Sequence, residues 1–140
     1  MEIAVIFATL LALLPFLTGF YVSVLRARSG KISHYSTVSD MSSPLARAHR
    51  AHGGTVEYVP ILALLILFAG GQPTVETWWL VVGGIAVIAR YPAVANFLWI
   101  MSALNKGNIV SAVASLLTYA AGAALAVGVC VPYIVELIRY

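Results

Sequence analysis

Charge is what this chain has least of. It holds 5 acidic and 8 basic residues among 140, so charged side chains make up 9% of it and hydrophobic ones 61%. Soluble domains carry about 25% charged residues, and a water-facing surface cannot be covered with so few. A soluble globular domain is excluded; lipid is the solvent this composition demands. Cysteine is nearly absent too. Cys130 stands alone, which rules out an internal disulfide and leaves the redox compartment unmarked. The shortage of acids and thiols also argues against a metal centre. His49 and His52 have an i, i+3 spacing, but no third ligand accompanies them. No metal is expected.

What the chain does have is four long apolar stretches, at about residues 3–25, 45–69, 78–104 and 109–138. A hydrocarbon core about 30 Å thick takes roughly 20 helical residues at ~1.5 Å each, so every stretch is long enough to span it. None shows the period-2 alternation of a barrel strand, and lipid permits only helices or closed barrels. Glu2 and the length of the first run argue against a cleaved signal peptide. The segments GGQPT (70–74) and NKGN (105–108) read as tight turns, and such short connections force antiparallel neighbours. The expected fold is an all-α integral membrane protein, a four-transmembrane-helix bundle forming one domain over residues 1–140.

One polar segment is long: RARSGKISHYSTVSDMSSP, residues 26–44. It reads as a mobile loop that ends sharply, with Ser43 as N-cap and Pro44 as the first helical residue. Trp78 and Trp79 are placed at the membrane interface as an aromatic anchor. Small residues in SAVASLLTYAAGAALAVG (111–128) allow close helix approach, within one bundle or between subunits.

The net charge of +3 could point to nucleic acid, but topology explains it more simply. Arg26, Arg28 and Lys31 follow the first span, Arg47 and Arg50 begin the second, and Lys106 lies between the third and fourth. In a four-span chain these positions share one side. The other side has Arg139 beside Glu2, Glu76 and Glu136. The positive-inside rule then puts both termini outside the cytoplasm, and no nucleic-acid partner is expected. Short loops and the lack of a retention signal point to a bacterial inner membrane.

The informative charges are those inside the apolar runs. On a helix starting at Pro44, Arg50, Gly54 and Glu57 fall within about 40° of one another, with Arg47 on the flank and the histidines elsewhere. Glu57 lies about 13 residues in, nearly 20 Å down the helix. Arg90 sits midway along the third span, at matching depth, and is expected to compensate Glu57 within or between subunits. A lone charge there costs several kcal/mol, so both should face protein or water. Arg47, Arg50 and Arg90, with Arg28 at the membrane edge, outnumber the single carboxylate. Such a pocket suits an anionic ligand that also carries an amine, and the guanidinium fork suits carboxylates. Pro60 and Pro92 disturb the helices nearby, Gly53 and Gly54 clear space, and Tyr58 adds a phenol.

The stretch RAHRAHGGTVEYVP, followed by an aliphatic run, resembles the signature of the MAPEG family (membrane-associated proteins in eicosanoid and glutathione metabolism). The basic end VLRARSG, the serine-rich loop and IARYPAVANF on the third span support this over residues 5–125. The resemblance implies a homotrimer that binds glutathione as co-substrate between subunits near the cytoplasmic side, with a lipophilic second substrate arriving from membrane lipid. By similarity Arg50 would hold a glutathione carboxylate and Glu57 its amine. Tyr58 and Arg28 would help orient it, and Arg90 matches the family's third-span arginine. The departures fall on the catalytic half. Many members have asparagine where Gly54 stands. Ala93 and Phe97 occupy positions where enzymes tend to carry His or Tyr and then Tyr. No arginine precedes the fourth span to stabilise a thiolate, leaving Lys106 or Arg28 as the catalytic candidates.

Three functions compete on these residues. The first is a glutathione-dependent transferase or peroxidase acting on lipophilic electrophiles or hydroperoxides. The second is a non-catalytic binding or scaffold member of the same fold, which Ala93 and Phe97 favour. The third is a small proton-coupled exporter using Glu57. The crowding arginines oppose it, since a coupling carboxylate must be free to take up and release its proton.

Overall fold

The computed structural model describes residues 1–30, 43–72, 77–95, 98 and 109–139. Four helices account for nearly all of them: α1 Glu2–Arg28, α2 Pro44–Gly71, α3 Trp78–Ala95 and α4 Ile109–Ile138. All four are long and apolar enough to cross a membrane, and the molecule is a four-helix membrane bundle. The expected third span reaches residue 104; α3 is described to Ala95, and beyond it only residue 98 of that span is described. The expected NKGN turn lies outside the described residues; of GGQPT, Gly70 and Gly71 belong to α2 and Gln72 caps it, so the helix runs two residues into the expected turn, and residues 73–74 lie outside. So does most of the 26–44 segment. Its two ends are clear. α1 runs one turn past the expected stop at residue 25, and α2 begins as the sequence indicates. The Ser43 hydroxyl accepts a 3.2 Å bond from the Ala46 amide, and Pro44 opens the helix, where its missing N–H leaves nothing unsatisfied.

α2 is the organising element and touches each of the other three helices; α1 packs chiefly on α2, and α3 on α4. The main core joins Ala4 and Leu11 of α1, Val59, Leu62 and Ile66 of α2, Trp79, Ala86 and Val87 of α3, and Ala121 and Leu125 of α4. A smaller cluster at the other end joins Val22, Leu45 and Ala48. Much of the remaining apolar surface points outward, Phe16, Phe20, Phe68, Ile88 and Leu116 included. In water that would be ruinous; in lipid these side chains are already in their preferred solvent. What holds helices together there is close packing and satisfied polar groups. Three buried threonines meet the second requirement alone. Thr18, Thr55 and Thr118 each donate to the carbonyl four residues back, at Leu14, Ala51 and Ala114. Between helices, Tyr91 of α3 donates to the Leu10 carbonyl of α1 at 2.8 Å.

The tryptophan pair differs from expectation. Trp79 is buried in the core, and Trp78 is half-buried with its ring against Gly128. Glycines make this possible. A Cβ on Gly128 would stand 2.1 Å from the Trp78 ring, and one on Gly70 would stand 2.4 Å from the Ala4 Cβ and 3.2 Å from Trp79. The indoles fill space that the glycines leave, instead of anchoring at an interface. The small residues of α4 divide in two: Ala114 and Ala121 turn inward, whereas Ala120, Ala123 and Ala124 face out. From Cys130 to Arg139 every residue is exposed.

Candidate functional site

Between α2, α3 and α4, level with the middle of α2, lies a cleft of about 380 Å³. α2 supplies Arg50, Gly53, Gly54, Glu57 and Tyr58; α3 supplies Arg90, Ala93 and Val94; α4 supplies Ser115 and Tyr119. The helical spacing that put Arg50, Gly54 and Glu57 on one face thus holds, and Arg90 meets them at the same depth. Arg50 and Glu57 are exposed along the open side, whereas Arg90 is only 6% exposed.

Two contacts hold Arg90 in place, and a third braces one of its partners. Its Nη2 donates to the Gly54 carbonyl, its guanidinium lies 5.6 Å from the centroid of the Tyr58 ring, and the Tyr58 ring is braced by Tyr119 at 5.1 Å and a 56° tilt. A desolvated cation over an aromatic face is worth about 2 kcal/mol, and a hydrogen bond to a charged group about 1.5–3 kcal/mol. Together these offset much of the several kcal/mol that burying a guanidinium costs. They do not saturate it. Its Nε is buried and has no partner. Arg90 thus stands in the cleft wall with one guanidinium donor unused.

Several expected placements differ within the single chain. No ion pair joins Arg90 to Glu57 in one chain among the described residues, where Arg90 meets a backbone carbonyl and a ring; the expected alternative, compensation across a subunit boundary, concerns the assembly. The cleft gathers two guanidiniums, not three. Arg47, half-buried on the flank of α2, does not line it, and Arg28 is exposed at the end of α1 outside it. Lys106 and Phe97 lie outside the described residues. The carbonyls freed by Pro60 and Pro92 belong to Val56 and Ile88, neither of which lines the cleft. Two polar lining residues escaped the sequence reading, Ser115 and Tyr119. Counting depth along α4 would have found Tyr119, which stands about 15 Å from the start of that helix, close to the level of Glu57.

The histidines turn away from the cleft, as their helical positions require. The Arg26 guanidinium donates to His49 Nε2 at 2.8 Å, and Thr18 Oγ1 lies 3.1 Å from His52 Nδ1. Both contacts clamp α1 onto the far side of α2 and leave the Arg50 face clear. Among the described residues no three His, Cys, Asp or Glu side chains gather as metal ligands.

This geometry agrees with the comparison to known families. The MAPEG family model matches residues 4–131. The chain belongs to the MAPEG family. No curated protein and no solved structure matches it. Family membership makes the chain an integral, multi-pass membrane protein of a glutathione-related transferase and peroxidase class.

Proposed function

We propose that the cleft binds glutathione and that the protein is a glutathione-dependent transferase or peroxidase acting on lipophilic electrophiles or hydroperoxides. Charge matching carries this reading. Arg50 and Arg90 against Glu57 give the cleft two positive groups and one negative. Glutathione brings the mirror set, two carboxylates and one ammonium, together with a thiol. Arg50, exposed and free to swing, takes one carboxylate; Arg90 Nε offers a fixed donor for a second acceptor; Glu57 takes the amine. Charge-assisted bonds of this kind are about twice as strong as neutral ones, and they gain strength where lipid-embedded walls lower the local dielectric.

The open side supports assembly. Arg50 and Glu57 are exposed in the single chain, so a neighbouring copy that covers them would seal the cleft, consistent with a homotrimer. Arg26 and Arg28 end α1, Arg47 and Arg50 begin α2, and this basic end is assigned to the cytoplasm. Glutathione then arrives from the cytoplasm and the second substrate from the bilayer.

Ala93 favours a second reading, a binding member without turnover. It puts a methyl group on the cleft wall where a proton-transfer side chain would serve catalysis. One experiment separates the two. Purified protein in lipid is assayed with glutathione and either chlorodinitrobenzene or a lipophilic hydroperoxide. Turnover above the uncatalysed rate that disappears in Arg50→Ala supports the enzyme. Saturable glutathione binding without turnover of either supports the binding member, and no binding at millimolar ligand removes both.

A further inference from the structure

A thiolate that breaks a bond to oxygen leaves an alkoxide, and that alkoxide needs a proton. Few groups around the cleft can give one. Arg50 and Arg90 donate hydrogen bonds without releasing protons. Glu57 is engaged by the ligand amine in the binding mode above. The Ser115 hydroxyl is no stronger an acid than the alcohol being formed. Among the described lining residues only the phenols of Tyr58 and Tyr119 remain.

The two phenols are not equivalent. Tyr58 is half-buried, packs against the main core and lies beneath the Arg90 guanidinium. Tyr119 is 49% exposed, and its neighbours Leu116, Leu117 and Ala120 on α4 face outward to lipid. It therefore stands on the boundary between the charged cleft and the bilayer, held at one edge by the Tyr58 ring at 5.1 Å. A lipophilic substrate moving from lipid toward a thiol in the cleft passes this side chain.

We propose that, when the second substrate is a lipophilic hydroperoxide, Tyr119 is the proton donor to the oxygen leaving group. This rests on the glutathione reading above. The thiol first loses its proton to water. The thiolate sulfur attacks the terminal peroxide oxygen, the O–O bond breaks, and the departing alkoxide takes the phenolic proton of Tyr119. Sulfur is oxidised by two electrons to the sulfenic acid while the peroxide is reduced to an alcohol. A second glutathione thiol then displaces the sulfenic hydroxyl, giving the disulfide and water, and the Tyr119 phenolate recovers its proton from water. Positioned proton donors contribute roughly 10²–10⁴-fold to such steps.

The test compares substrates that differ in this need. Chlorodinitrobenzene loses chloride, which requires no proton; cumene hydroperoxide loses an alkoxide. Tyr119→Phe should lower the ratio of hydroperoxide to chlorodinitrobenzene turnover at least tenfold. A ratio within twofold of wild type, including an equal fall in both rates, overturns the inference. Replacing Tyr119 by 3,5-difluorotyrosine preserves the ring and acidifies the phenol. It should carry the alkaline limb of the hydroperoxide kcat profile to lower pH, and an unmoved limb overturns the inference without reference to the second substrate. Wild-type protein that binds glutathione yet reduces no hydroperoxide overturns it alone. Failure to bind glutathione overturns the reading beneath it as well.

Discussion

One end of the bundle and the cleft at mid-height use glycine in opposite ways. Around Gly70 and Gly128, helices and indoles approach so closely that an added Cβ would overlap its neighbours, at 2.4 Å from Ala4 and 2.1 Å from Trp78. Around Gly53 and Gly54 there is room. A Cβ would meet nothing within 4 Å at the first and only Arg90 Nη2, at 3.8 Å, at the second. One end is closed by packing. The cleft keeps its space open beside charges that are expensive to hold in lipid. A bundle needing only stability would fill that space, since close packing is what binds helices in a bilayer. The contrast marks the cleft as the part of the fold that serves something other than folding.

Substitutions can break this contrast, and the largest effect is expected on the ligand. Arg50→Ala should weaken glutathione binding by about 2–4 kcal/mol, because it strands a carboxylate in a desolvated site; calorimetry with the protein in lipid nanodiscs reads this directly. Next comes the pairing of Glu57 with the amine. Glu57→Gln should weaken glutathione by about 2 kcal/mol but hardly affect an analogue lacking the α-amine, and equal losses for both ligands would remove that pairing. Gly70→Ala should cost about 1–3 kcal/mol of stability through overpacking, read as a lower unfolding temperature in detergent. Gly54→Ala should instead be neutral or stabilising by up to about 1 kcal/mol, as expected for an unobstructed helical glycine. The smallest effect should come from Gly54→Asn. Its Cβ fits, and its amide adds one hydrogen bond to the bound ligand, worth about 1 kcal/mol of affinity.

Legibility in the sequence followed what each feature depends on. The four helices were plain because lipid tolerates no unpaired backbone, so a span must be a long apolar run whose length is set by the bilayer. The start of α2 was plain because Ser43 and Pro44 act locally. The face carrying Arg50, Gly54 and Glu57 followed from the turn of the helix alone. What failed were contacts between helices. Charge balance pairs Arg90 with Glu57 within or between subunits, whereas within one chain Arg90 donates to the Gly54 carbonyl, a group present at every residue and therefore invisible to a count of side chains. Arg47 was counted into the cleft although its angular offset carries it to the flank. Trp78 and Trp79 read as interface anchors because the burial of Trp79 depends on Gly70, 9 positions away, and that of Trp78 on Gly128, 50 positions away. Tyr119 could be placed at the depth of Glu57 by counting along α4, but its position on the cleft wall depends on how α4 packs beside α2.

The central claim is that a cleft with two guanidiniums and one carboxylate holds a ligand of complementary charge. Its most direct test is a calorimetric titration of glutathione into the wild-type protein in nanodiscs. Saturable binding with a Kd on the order of 1 mM or tighter is predicted, and it should vanish in Arg50→Ala. Wild-type protein that gives no saturable signal at millimolar glutathione, or an Arg50→Ala variant that binds as tightly as wild type, would contradict it.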